Sequence, residues 1–554
     1  MKRKTRKCTI YTSSKTKRNN NVYDKKDKTI NSLHDISNKL FNIFDTPFVK
    51  MMKGGKAIGA GGYGCVFEPA LKCKNENKRN SGYVSKLMTS KAANHEFNYI
   101  RKIQSFISKI PNYNRYFLLD YIYLCEPEKI SSDDYLNFDR KCGKDSKINA
   151  EFEHVQSREE LNSKLDKYNI LNIPYGGISV ERFLRGIELF YDFNIFINLN
   201  NCLIELLTNA IIPMNKLGVY HRDLKVENIL ISSQTYYNNQ KNEFISKYNG
   251  KVGGLKNKKK DLNTKLGGTS DAELDLTKLG KENIIIRIID WGLSVISPHG
   301  SVVYSETAFH NRTLSYNMPF SILLFNENFQ STLVTYSKNW GANFNNLSFE
   351  QKEQCVYLSL LTFFDTSLGH IQKILSMYGK MLELDYSYEI GKFMKEETLE
   401  IYTKTYVISL ISEYITKILV KYIHNDGTID LENYYANVFK YNVDIWGFTS
   451  VYVAIFNNVY NVVNKKTPPS QPIVLRHFLL KLRNLFFKTL FESPTEKIDV
   501  DKYILNLKEL NNLSSANSIP YMPISRRGNN VQKLLFNKEP KYTVSEEDEI
   551  AMLG

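Results

Sequence analysis

Apolar residues divide the chain into a few sharply patterned stretches separated by polar ones. Tyr83-Val84-Ser85-Lys86-Leu87-Met88 is a short alternation, which predicts a strand with a lysine inside it. A helix is predicted over roughly 91–109. Over about 195–217, Leu199, Leu203, Leu206 and Ala210 recur at i, i+4, i+7 and i+11, which predicts a long helix with one core face. Asn283-Ile284-Ile285-Ile286-Arg287-Ile288-Ile289 is nearly continuous in apolar residues and predicts a buried strand. Within 400–423, Val407, Leu410, Ile411, Tyr414 and Ile418 share one side of a further helix. The last helices are expected over 470–510. Between these elements lie polar stretches. Residues 1–50 have no sustained periodicity, 126–165 are charged and mixed, and 234–282 are rich in Lys, Asn and Gly. That last segment cannot bury much surface and is expected to be a disordered insertion.

Composition narrows the class. The chain has 554 residues, 42% hydrophobic and 24% charged, the balance of a globular protein. No run of 18 apolar residues suggests a transmembrane helix, and the Met-Lys-Arg-Lys start carries no apolar signal core. Seven scattered cysteines include no C-x-x-C pair, so neither a zinc module nor a disulfide framework is expected, and a reducing compartment is. There is no H-E-x-x-H, so a zinc hydrolase has no support. The formal charge is +16, and residues 1–20 alone hold eight Lys or Arg and no acid. A basic arm of this kind could meet nucleic acid or an anionic surface. A solvated lysine-rich surface is the simpler reading and is favoured.

Chemistry is concentrated in His221-Arg222-Asp223-Leu224-Lys225-Val226-Glu227-Asn228, just before the apolar Ile229-Leu230-Ile231. An acid, a base and an amide at fixed offsets suit phosphoryl transfer to a hydroxyl. Upstream, Ile58-Gly59-Ala60-Gly61-Gly62-Tyr63-Gly64-Cys65-Val66 is a G-x-G-x-x-G-x-V run. Its glycines permit a tight strand-turn-strand whose N–H groups can approach phosphate. Val66-Phe67 continues as strand, unlike the helix of a dinucleotide fold. Glu96 is the one glutamate between Lys86 and Cys125. Downstream, the 283–289 run ends in Asp290-Trp291-Gly292.

In this order the motifs resemble those of eukaryotic-type serine/threonine protein kinases. The composition, the large insertions and the Gly-Gly-Lys-Ala-Ile-Gly-Ala-Gly-Gly-Tyr-Gly-Cys-Val-Phe opening are similar to the divergent kinases of large DNA viruses. The resemblance implies an α+β, two-lobed protein-kinase-like fold, with a small antiparallel β lobe, a large helical lobe and insertions. It implies ATP and Mg²⁺ as cofactors and Ser/Thr-bearing proteins as substrates. Asp223 would orient the hydroxyl and Lys225 cover charge on the transferring group. Asn228 and Asp290 would hold the metal. Ile58, Gly59, Ala60, Gly61, Gly62, Tyr63, Gly64 and Val66 would cover the nucleotide, and Lys86, paired with Glu96, would bind its phosphates. Ile173 and Tyr175 would meet the adenine in a hinge, Tyr168–Gly177, with Leu171 as gatekeeper. Arg222 would bind a phosphate in the activation segment, on Ser301, Tyr304, Ser305 or Thr307. Asp444-Ile445-Trp446-Gly447, leading into Val451–Phe456, resembles the start of the buried central helix.

Three positions depart from the family pattern. Pro174 lies where the hinge usually offers an N–H, which proline lacks. Trp291 stands for Phe. In Thr313-Leu314-Ser315-Tyr316-Asn317-Met318-Pro319-Phe320, Phe320 stands for the Glu that anchors to a late arginine, leaving Arg476 and Arg483 without that partner. Thr313 with Lys225 resembles the serine/threonine class.

The expected organisation is a basic arm (1–50), a small lobe and hinge (51–177, insertion near 126–165), a large lobe (178–514) and a tail (515–554). The large lobe would carry insertions near 234–282 and 321–440, the latter helical. About 270 residues remain for the core, too few for a second enzyme domain. The expected setting is intracellular, cytoplasm or nucleus, or host cell or virion if viral. A pseudokinase scaffold is the leading alternative. A small-molecule kinase and a pure nucleic-acid-binding protein are the others.

Overall fold

The computed structural model describes residues 55–61, 64–80, 82–143, 152, 154–186, 193–240, 242, 284–297, 314–338, 344–366, 370–386, 396–424, 428–463, 472–492 and 494–512. The expectations for the basic arm, most of 241–283, the tail and the candidate phosphosites at 301–307 lie outside these residues, as do Gly62, Tyr63 and Thr313.

The fold is α+β: an N-terminal five-strand antiparallel sheet is followed by a largely helical region. Strands β1 (Lys56–Gly61), β2 (Gly64–Glu68), β3 (Tyr83–Thr89), β4 (Tyr123–Cys125) and β5 (Tyr168–Pro174) lie in the order β1-β2-β3-β5-β4. Strand alternation gives this sheet two different faces. On one, Cys65, Phe67, Leu87, Tyr168 and Ile170 form a core. On the other, Val66, Lys86 and Leu171 stand side by side, because Val66 pairs with Lys86 and Lys86 with Leu171. Helix α1 (Ser90–Ile107), capped by the Thr89 hydroxyl, follows β3 directly.

The 126–165 stretch is less of a solvated insertion than its charge suggests. Its Ile130, Phe138, Cys142, Phe152, Val155 and Leu161 bury themselves against the core face of the sheet. Arg79 pairs with Asp134 at 2.7 Å, and Asp134 also accepts the Gly55 N–H. Contrary to the expectation from cysteine spacing, the sheet region carries two disulfides, one of which ties this layer down. Cys65–Cys142 joins β2 to the insertion, and Cys73–Cys125 joins the β2–β3 connection to β4. Each pair is brought together by the packing of segments far apart in sequence, 77 and 52 residues, where spacing motifs carry no signal. Cys202 is a free thiol, and Cys355 is buried.

The helical region is laid down around two small sheets, β6 (Ile178–Ser179) with β8 (Ile229–Ser233) and β9 (Ile284–Ile288), and β7 (Val219–Tyr220) with β10 (Val295–Ile296). The predicted 195–217 helix runs as α2 (Phe193–Leu206), a π turn (Leu207–Ile211) and a short continuation to Lys216. Leu199, Leu203, Leu206 and Ala210 are all buried. Phe193–Lys216 is the one stretch, among the described residues, long and apolar enough by length and composition to cross a membrane; half of it is buried. Its middle carries a polar pin: Asn200 donates to the Leu507 carbonyl and accepts from the Tyr452 hydroxyl.

The segment after Pro319 is helical, as expected: α3 (Glu327–Lys338), α4 (Phe349–Thr366), α5 (Ile371–Tyr386) and α6 (Glu396–Lys421). The stripe of α6 is buried, but so are Ile408, Ser409, Ser412, Ile415 and Thr416, so α6 is enclosed well beyond one face. Two of its buried hydroxyls bond main-chain oxygens, Ser412 to Glu353 and Thr416 to Ser412, whereas that of Ser409 has no partner among the described residues. Helices α7 (Lys440–Val463), α8 (Pro472–Phe486) and α9 (Val500–Glu509) complete the region.

Phe320 sits at the centre of this packing. Its ring lies 5.1 Å from Trp446, 5.6 Å from Phe491, 6.0 Å from Tyr414 and 6.2 Å from Tyr378. An aromatic cluster occupies the place where the family pattern has a carboxylate. Arg476 and Arg483 instead donate to the main-chain carbonyls of Leu384 and Met381 on α5.

Candidate active site

The loop His221–Asn228 lies between β7 and β8, and its main chain is fixed from a distance. Asp444, fully buried near the start of α7, accepts the N–H groups of His221 (2.9 Å) and Arg222 (2.7 Å). Burial raises the Asp444 carboxyl above its usual range, against the lowering effect of His221 and those two N–H bonds. The His221 ring bridges to the next strand, its Nε2 2.9 Å from the Ile289 oxygen, while its Nδ1 accepts the Asp223 N–H. The Nε2 contact with a carbonyl suits a proton on that nitrogen. Arg222 follows with φ +61°, in the left-handed region. Its side chain is buried against Tyr435 and Asp444, so it is placed in the support of the loop.

The Asp223 carboxylate is held from three sides. Lys225 Nζ donates to Oδ2 at 2.8 Å, Asn228 Nδ2 to the same oxygen at 3.0 Å, and Asn317 Nδ2 to Oδ1 at 2.9 Å. Burial pushes this carboxyl up, but Lys225, Asn317 and His221 outweigh it and leave it below the usual range. An ionised, oriented acceptor with little basicity is the result. Asn317 also donates to the Leu224 carbonyl, so one amide ties the 314–320 segment to the loop. Sequence reasoning passed over Asn317 as an unspecified position in a motif. The only signal was its amide side chain next to Tyr316, whose hydroxyl donates to Glu227.

Asn228 spends its amide N–H groups on Asp223, which leaves its carbonyl oxygen for another partner. Ile289 N–H donates to the Asn228 main-chain oxygen, so Asp290 begins one residue further along. Asp290 is exposed, with φ +66°. Among the described residues no group of three His, Cys, Asp or Glu side chains gathers to hold a metal. A carboxylate and an amide oxygen suit Mg²⁺, which keeps waters and phosphate oxygens as its other ligands. Next to Asp290, Trp291 is buried, 4.9 Å from the His221 ring and 5.7 Å from Phe117.

On the sheet side, Lys86 Nζ meets both Glu96 oxygens, at 2.9 and 2.7 Å, in a largely shielded pair. Glu96 lies one turn along α1, and Tyr99 on the same helix donates to the Ser294 carbonyl just past Gly292. Helix α1 thus links Lys86 to the segment that carries Asp290. Ile58, Gly59, Ala60 and Gly61 lie on β1, which has a register shift at Ala57/Gly59 that leaves Ile58 exposed. Gly64 and Val66 lie on β2. A Cβ on Gly64 would meet the Leu87 carbonyl at 2.7 Å, so only glycine lets β2 lie this close to β3.

Leu171 and Ile173 lie within β5, and Tyr175 N–H donates to the Gly82 carbonyl at 2.9 Å. Pro174 has no N–H and that of Tyr175 is taken, so neither offers a main-chain donor for a base. Gly177, at φ +103° and hard against the Ile231 carbonyl, then turns the chain into β6.

No family model matches this chain, and no curated protein matches it.

Proposed function

We propose that this chain is an ATP- and Mg²⁺-dependent serine/threonine protein kinase with a two-lobed kinase-like fold. One observation carries the reading: an ionised, triply held Asp223, a shielded Lys86–Glu96 pair, and Asn228 joined through the Ile289 N–H to the strand end that carries Asp290 lie on elements bonded to one another. Each group suits one part of phosphoryl transfer, in which positioning and electrostatics dominate.

Asp223 would accept a hydrogen bond from the substrate hydroxyl and aim it. Lys225, already oriented by Asp223, would cover developing charge on the transferred group. Lys86, held by Glu96, would bind the nucleotide phosphates. Asn228 and Asp290 would hold Mg²⁺, which when bound neutralises phosphate charge. Ile58, Val66, Leu171 and Ile173 would supply apolar contacts to the base, and the β1–β2 glycines would cover the phosphates.

The test is Mg·ATP-dependent phosphate incorporation into a generic Ser/Thr protein substrate. Asp290→Asn is expected to lower it by about 10²–10³-fold. Equal incorporation by the wild type and Asp290→Asn would overturn the assignment. One feature favours a second reading, a catalytically weak pseudokinase scaffold: the main-chain donors at 174 and 175 are absent or spent. That reading predicts nucleotide binding without turnover, and the same assay separates the two.

A further inference from the structure

Arg287 is the one charge in the run Ile284-Ile285-Ile286-Arg287-Ile288, and it is only 3% exposed. Burying a cation is costly unless an anion compensates it. Among the described residues no carboxylate pairs with it. Its Nη1 donates to the Gln240 side-chain oxygen at 3.3 Å and its Nη2 to the Gly176 carbonyl at 3.2 Å, both long. Its Nε has no hydrogen-bond partner. The Tyr237 ring lies 5.5 Å from the guanidinium carbon. Burial lowers the guanidinium to about 10, which still leaves it charged at neutral pH.

Arg287 does not face a closed core. It lines a cavity that opens outward, together with Asn114, Phe117, Tyr121, Tyr237 and Gln240, among others. Asp120 also lines this cavity, but its carboxylate is engaged by Gln104 and by the Tyr113 hydroxyl at 2.7 Å. An under-compensated cation at the wall, amides beside it and aromatic rings around it are complementary to a planar monoanion. The Asp120 charge disfavours a dianion.

We propose that this cavity, on the outer side of the β5–β6 link, is a binding site for a small aromatic or planar carboxylate, whose carboxyl group pairs with Arg287. The site is separate from Asp223 and Lys86, yet Arg287 lies three residues before Asp290 on the same strand. Its bond to Gly176 also ties it to the segment proposed to contact the base.

The experiment is a thermal-unfolding titration of the full chain with sodium benzoate, with sodium phosphate and sodium chloride at matched ionic strength as controls. The wild type is expected to show a saturable rise in Tm with benzoate and none with chloride. Phosphate is expected to act more weakly than benzoate. Arg287→Met is expected to shift half-saturation upward by at least tenfold. Should Arg287→Met not fold, Asn114→Asp serves instead. It keeps an acceptor for the Tyr237 hydroxyl and adds a carboxylate to the wall, and it is expected to abolish the benzoate response. No saturable benzoate effect in the wild type, or an undiminished effect in either variant, would overturn the proposal, as would phosphate outperforming benzoate. Loss of kinase activity in the assay above leaves this readout untouched, so the two readings fail separately.

Discussion

The sheet region and the helical region are stabilised in different ways. The five-strand sheet buries one face beneath a polar, charged layer whose apolar residues are few. The Cys65–Cys142 disulfide and the Arg79–Asp134 pair hold that layer in place, and Cys73–Cys125 ties the β2–β3 connection to β4. The helical region has no disulfide among its described residues and relies on burial, with aromatic rings converging on Phe320 and Trp446. The contrast shows how one chain can carry a charged insertion over its sheet and a segment held by ring packing beneath its 221–228 loop. Covalent ties serve where apolar surface is scarce, and ring packing serves where a charge pair was expected.

That comparison can be broken from either side. The largest effect is expected at Phe320→Ala, which removes the centre of the aromatic cluster and should destabilise the fold by about 3–5 kcal/mol. A shift in denaturant midpoint well below this would mean that the cluster tolerates collapse and is not the anchor. Next, Cys65→Ser with Cys142→Ser opens a tie spanning 77 residues. It is expected to cost about 2–4 kcal/mol. Unchanged stability would show that the insertion's apolar residues suffice alone.

A smaller effect separates site from scaffold. Asn317→Ala removes a hydrogen bond to the charged Asp223 and should cost about 1.5–3 kcal/mol of barrier, read as lower kcat with KM nearly unchanged. If KM alone rises, Asn317 contacts substrate instead of positioning Asp223. The smallest effect is on pH. Because the folded Asp223 carboxyl lies below its unfolded range, its stabilising contribution is present above the unfolded value. It is lost only as pH falls through the lower, folded one. The rate should therefore show no Asp223-dependent fall between about pH 5 and 8. An acid limb near pH 6 that moves to higher pH in Lys225→Met, where Asp223 loses the cation that lowers it, would contradict this.

What could be read in the sequence was local. Lys86 within its strand, the 195–217 helix, the 283–289 run and the 221–228 loop each declare themselves over a few residues, because period and motif are properties of neighbours. The pairing of Lys86 with Glu96 followed from there being a single candidate acid. Contacts between distant segments were not legible in this way. Cys65 meets Cys142 because β2 lies beneath the insertion. Asn317 reaches Asp223 because α7 brings two loops together. At Gly447 an added Cβ would stand 2.8 Å from the Leu224 carbonyl and 3.3 Å from that of Asn317. Its role as a spacer depends on three segments that no spacing rule relates. The 126–165 stretch does fall between two strands, β4 and β5, but the face it buries was not legible, for a similar reason. Its six buried apolar residues are too irregularly spaced to show a period, and only the sheet supplies the face they share.

Asp444 carries a consequence for the order of assembly. The two N–H groups that set the shape of the 221–228 loop bond to a carboxylate more than two hundred residues later in the chain. Until α7 has been synthesised and docked, the loop lacks the acceptor that fixes it, however complete the sheet region is. The activity proposed for this loop should then be a late event in the folding of a nascent chain. A ribosome-stalled product ending near residue 430 would hold the Lys86–Glu96 pair and Asp223 but not the geometry that joins them.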